Sequence, residues 1–149
     1  MNLSSLLIAS AFLTGALIPL QVAANAQLGG VTKNVYTAGL IVFLVGTAVL
    51  SAAVTLSRAQ FPSFAELTAA PKTIWLGGLI ATVYILAIVM IAPRLGVAVT
   101  TVFILAGQIV MAMLIDHFGL FGNPQQSLNL WRAGGAILMV LGVIAIKTH

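Results

Sequence analysis

Five stretches of about twenty apolar residues follow one another along this chain, and each is long enough to cross a bilayer as a helix. They cover about residues 3–26, 35–57, 73–92, 95–115 and 128–146. None holds an acidic residue, and Arg132 is the one basic residue inside any of them. Of 149 residues, 61% are hydrophobic and 5% are charged, against roughly 25% charged in a soluble domain. So few polar side chains cannot coat a water-soluble surface, so lipid must be the solvent for most of the exterior. The expected fold is an all-α membrane protein, a single domain over residues 1–149 with five transmembrane helices.

The connections carry turn chemistry. Residues 58–72 contain Pro62, Glu66 and Pro71 and read as a loop. Pro93 and Arg94 are expected to close the third span, and Asp116 and His117 the fourth. Gly119, Gly122, Asn123 and Pro124 then mark the last connection. Trp75 and Trp131 fall near span starts, where amphipathic rings favour the headgroup level. Ala24-Asn25-Ala26 resembles a signal-peptide cleavage site, but no Lys or Arg precedes it, so the first run is expected to stay as a span.

The net charge of +4 comes from six single basic residues. A nucleic-acid partner needs a clustered basic stripe, which is missing. Under five-span alternation, Arg58, Lys72 and Arg132 lie on one side, and Lys33, Arg94 and Lys147 on the other. Orientation normally follows an excess of Lys and Arg on the cytoplasmic side, and a tie of three against three removes that guidance. The expectation is insertion in both orientations and pairing with an inverted copy. Two copies would form a ten-helix, inverted-repeat assembly of the kind that places a transport site near the midplane.

Polar residues inside the spans mark the candidate pathway. Ser10, Thr14, Gln21 and Asn25 fall within about 60° of arc at 100° per residue. Amides in hydrocarbon are costly without partners, so this face should meet protein, water or solute. Pro19 lies opposite and is expected to kink the helix. Thr101 and Gln108 share a face of the fourth span and extend the pathway set. Interhelical bonding is the competing role for all of these. Thr47, Ser51 and Thr55 recur every four residues, where hydroxyls can bond their own helix. The pairs Gly77-Gly78 and Gly134-Gly135 suit close helix packing. Arg94, Asp116, His117 and Arg132 are candidates for interfacial gating or pairing, with Asp116 able to reach Arg132.

No carboxylate lies deep in a span, which disfavours proton exchange through an intramembrane acid. No phosphate loop, metal-ligand spacing, cysteine or nucleophile–base set is present. An enzyme, a cofactor and a metal site are therefore not expected.

Several stretches resemble the YdcZ-type family of the drug/metabolite transporter superfamily, small bacterial inner-membrane proteins of about five spans. They are GALIPLQVAANAQLG from Gly15, LVGT from Leu44, WLGGLIATVYILAIVMIAPRLG from Trp75 and AGQIVMAMLIDHFGLFG from Ala106. The resemblance covers essentially the whole chain. Pro19, Gln21 and Asn25 match the first motif, Pro93 and Arg94 the third, and Gln108, Asp116 and His117 the last. It implies an exporter of a small molecule in the bacterial inner membrane, assembled as an antiparallel homodimer or with a paired homologous subunit. The family is similar in architecture to small multidrug resistance proteins. This chain lacks their glutamate in the first span, so their coupling chemistry does not carry over by resemblance. The alternative class is a non-transporting membrane scaffold or assembly subunit.

Overall fold

The computed structural model describes residues 2–148, and their regular structure is entirely helical. Helices α1 (Leu3–Thr32) and α2 (Val35–Ser57) are followed by a short α3 (Phe64–Ala69) and a 3-10 turn at Lys72–Trp75. Then come α4 (Leu76–Leu95), α5 (Val97–Phe118), a 3-10 turn at Leu120–Gly122, and α6 (Leu130–Thr148). Five of these segments are long and apolar enough to span a membrane, as the hydropathy pattern requires.

Side-chain caps set several starts. Asn2, Asn34 and Asn129 each accept a bond from the backbone N–H three residues on, at Ser5, Thr37 and Arg132. Each bond satisfies a donor that the first helical turn leaves open. Two ends are closed by basic residues in the left-handed region, Lys33 and Arg58, both at φ 52°. The Arg58 N–H donates back to the Thr55 carbonyl at 3.2 Å.

Several elements differ from expectation, and α5, expected to close at Asp116 and His117, runs through both to Phe118. Helix α1 continues six residues past the expected end at residue 26, through Gln27 to Thr32, because nothing there removes a backbone donor. Its 30 residues span about 45 Å, more than the roughly 30 Å hydrocarbon core. Pro93 does not close the third span. It sits in the last turn of α4, where one lost bond, to the Val89 carbonyl, is tolerated, and the helix stops only at Gly96 with φ 82°. The segment read as a loop contains α3, nucleated by a capping box. Ser63 Oγ accepts from the Glu66 N–H, and the Glu66 carboxylate accepts from the Ser63 N–H at 2.7 Å. Helix α1 runs unbroken through Pro19.

The chain divides into two compact units, one of residues up to Pro19 with those from Leu95 onward, the other of residues 20–94. In the second unit the buried side chains are Val22 and Asn25 of α1, Ala38 of α2, and Ile85, Ile88, Val89 and Ala92 of α4. Close approach there depends on Gly29 and Gly39. A Cβ on Gly29 would come within 2.6 Å of Val89 Cγ1, and one on Gly39 within 2.9 Å of Leu86 Cδ2. The Gly77-Gly78 and Gly134-Gly135 pairs, expected to serve this purpose, meet nothing within 4 Å. They are not packing glycines within the chain. Large aliphatic side chains along every span are exposed, Leu7, Leu20, Leu50, Leu79 and Leu138 among them. That is the pattern of helices solvated by acyl chains.

Candidate functional site

Each unit contains a cleft that brings neutral polar groups from the spans together with apolar walls. In the first, Phe12, Gly15 and Ile18 of α1 and Thr101, Leu105 and Gln108 of α5 line about 380 Å³. Thr101 and Gln108, predicted to share a face, do so here. Pro19 has no N–H to donate to the Gly15 carbonyl, so one wall includes a backbone acceptor without its usual helical donor. The Gln108 amide makes no bond to any described residue, and Thr101 Oγ1 is buried without a partner.

In the second cleft, Gln21 of α1, Phe43 and Thr47 of α2, and Tyr84 and Ile85 of α4 line about 350 Å³. Asn25, one helical turn beyond Gln21, is 6% exposed and its Nδ2 has no partner. The Tyr84 hydroxyl is likewise buried and unpartnered. Sequence reasoning missed Tyr84, since a lone tyrosine in the run ATVYILAI reads as another apolar position.

Other hydroxyls behave differently. Ser10 Oγ donates to the Leu6 carbonyl at 2.9 Å, and Thr14 Oγ1 to that of Ser10 at 2.8 Å. Thr55 and Thr82 close onto Ser51 and Gly78 in the same way. Ser10 and Thr14 are thus satisfied by their own helix and line neither cleft. Arg94 is exposed in the last turn of α4 and joins neither cleft.

Asp116, His117 and Arg132 gather where α5 turns into α6. Arg132 Nη2 lies 3.0 Å from Asp116 Oδ2 and also donates to Gln126 Oε1 at 2.9 Å, while Nη1 donates to the Gln126 carbonyl at 3.1 Å. The Gln126 N–H returns a bond to the Asp116 carbonyl at 2.8 Å. His117 Nδ1 accepts from the Leu128 N–H at 3.2 Å, and its carbonyl accepts from Gln125 Nε2 at 2.9 Å. The connection is therefore tied to the end of α5 through Gln125, Gln126 and Leu128. Gly119 makes the turn at φ 61°, which favours glycine. Among the described residues, no three acidic or histidine side chains gather as a metal site.

Both clefts are free of charged side chains, and both lie on apolar, membrane-length helices. A family model with the description "Putative inner membrane exporter, YdcZ" matches residues 6–145. The chain belongs to this family. The match reaches into all five spans and covers both clefts and the α5–α6 turn, and it makes the chain a multi-pass protein of the inner membrane. The YdcZ description is one of transport rather than catalysis. No curated protein and no solved structure matches the chain.

Proposed function

We propose that this YdcZ-family chain is an exporter subunit that moves a small solute by alternating access, working as an antiparallel dimer. One observation carries the reading. Gln21 and Gln108 each place an amide in a cleft of a membrane-spanning helix and form no bond to any described residue. An unpartnered amide in hydrocarbon costs roughly 2–7 kcal/mol, so these positions make physical sense where water or solute supplies the partner. A scaffold that met only lipid and apolar protein surfaces would gain nothing from them.

The dimer rests on charge. Lys33, Arg94 and Lys147 balance Arg58, Lys72 and Arg132 across alternating spans, so short-loop charge favours neither orientation. A C-terminal reporter should be active on both sides of the membrane, and activity on the cytoplasmic side alone would refute dual insertion. For the pathway, Gln21→Ala and Gln108→Ala should each abolish export by membrane vesicles without lowering the yield of purified dimer. Unchanged transport in both would leave the scaffold as the better account.

A further inference from the structure

One bond in the α5–α6 turn differs from its neighbours in what a proton does to it. The Leu128 N–H donates to His117 Nδ1 at 3.2 Å. A ring nitrogen accepts only while its lone pair is free, so the neutral imidazole here carries its proton on Nε2. Nδ1 is then the one nitrogen left to take a second proton. Once it does, an Nδ1–H faces the Leu128 N–H, donor against donor, and the bond is lost. Imidazole is the side chain that gains and loses this proton between about pH 5 and 8.

Gln125 and Gln126 are tied differently. Gln125 Nε2 donates to the His117 carbonyl at 2.9 Å, and the Gln126 N–H to the Asp116 carbonyl at 2.8 Å. The Arg132 guanidinium holds the Gln126 carbonyl and side-chain oxygens. Amides, carbonyls and guanidinium do not change protonation in that range.

Few charges face the imidazole. Asp116 precedes it on α5, and Arg132 reaches Asp116 from α6 at 3.0 Å, so the two offset each other. The 3-10 turn at Leu120–Gly122, the connection 123–129 and residues 2–19 hold no charged side chain, and Lys147 lies at the opposite end of α6. The His117 and Phe118 rings meet edge to face, with centroids 4.8 Å apart. His117 is half-buried, so water can deliver the proton. Leu128 stands just before Asn129, whose side chain caps α6 by accepting from the Arg132 N–H at 2.8 Å. Release at Leu128 therefore acts on residues 127–129 and the first turn of α6, while Gln125 and Gln126 stay tied.

We infer that His117 is a proton-operated latch. Neutral, it holds Leu128 and the start of α6 against the end of α5; protonated, it lets them go. The latch stands apart from the exporter reading, because it needs one chain and no solute. It gives the chain a response to pH that requires no carboxylate deep in a span.

The test is amide hydrogen exchange at Leu128 in the purified full chain in lipid nanodiscs, at about pH 5 and about pH 8. Each rate is divided by the intrinsic rate at that pH, and the His117 Cε1–H resonance reports ring protonation in the same samples. Wild type should lose Leu128 protection by roughly threefold or more on acidification, in step with the ring, with Gln126 unchanged. His117→Asn places Oδ1 where Nδ1 stood, an acceptor that takes no proton here, and should keep the high protection at both pH values. His117→Phe keeps a ring against Phe118 without an acceptor and should show the low protection at both. Wild-type protection that is equal at the two pH values while the ring titrates overturns the inference, as does a ring that does not titrate between them. So does an equal acid-induced loss in wild type and His117→Asn, which would place the sensor elsewhere.

Discussion

Adjacent glycines in α1 offer a test of packing in which the background cancels. A Cβ on Gly29 would lie 2.6 Å from Val89 Cγ1, whereas one on Gly30 meets nothing within 4 Å. Real carbon–carbon contacts sit near 3.5–4.0 Å, so Gly29→Ala must displace α4 or turn the Val89 side chain. Val89 is 4% exposed and β-branched, which leaves few rotamers to turn into. Overpacking of this kind costs about 1–3 kcal/mol. Replacing helical glycine by alanine gains about 0.8–1 kcal/mol, and both variants receive that gain equally. The difference between Gly29→Ala and Gly30→Ala therefore isolates the contact, and Gly29→Ala should be the less stable by about 1–3 kcal/mol. Thermal unfolding of the two purified variants in one detergent reads it directly. At about 2–4 °C per kcal/mol for a chain near this size, the gap should be several degrees. Indistinguishable Tm values would refute the close approach of α1 and α4 at this point.

Other outcomes follow from the charged and capped residues. Arg132→Met should release residues 123–129 and speed hydrogen exchange at the Gln126 amide. Because the Arg132–Asp116 pair is about one-third exposed, the stability loss should be modest, about 1 kcal/mol. Asp116→Asn, which keeps an acceptor oxygen, should loosen the segment less, and equal exchange in all three proteins would remove the role of the pair. The bonds from the Ser63 side chain and then its backbone hold the Glu66 carboxyl below its ordinary value of 4.5. A depressed value means the carboxylate favours the folded cap, so that contribution is present above pH 4.5 and is lost as pH falls through the lowered value. The amide resonances of Ser63 and Glu66 should move together in that acid range, and their independence of pH there would refute the capping box.

What could be read from the residues, and what could not, separates along physical lines. The five spans were legible because a twenty-residue apolar run has no other stable fate in a chain with so few charges. Their ends were less so. Hydropathy falls after residue 26, but Gln27 to Thr32 keep every backbone donor and the helix simply continues. Pro93 looked like a stop because proline breaks helix interiors, yet near a C-terminus it forfeits only the bond to Val89. The capping box of Ser63 and Glu66 was visible in principle and was masked by Pro62 and Pro71 on either side. Gly29 and Gly30 lie about 100° apart on the helix, so one meets a neighbour and the other does not, and composition cannot say which. The amides at Gln21 and Gln108 were conspicuous as polar groups in apolar runs. The Tyr84 hydroxyl was not, because only the packed helices disclose that it is buried without a partner.

Lys33 and Arg58 occupy backbone conformations that glycine adopts without strain. Placing glycine at either position relieves roughly 1–2 kcal/mol of local strain and, in a soluble protein, would be a routine stabilising change. Here each position also holds a positive charge, at opposite ends of successive spans. Lys33→Gly leaves two basic residues facing three, and Arg58→Gly tips the count the other way. On the dual-insertion reading proposed above, a substitution made to improve thermostability would thus fix which way up every copy enters the membrane, and an inverted partner would no longer be made.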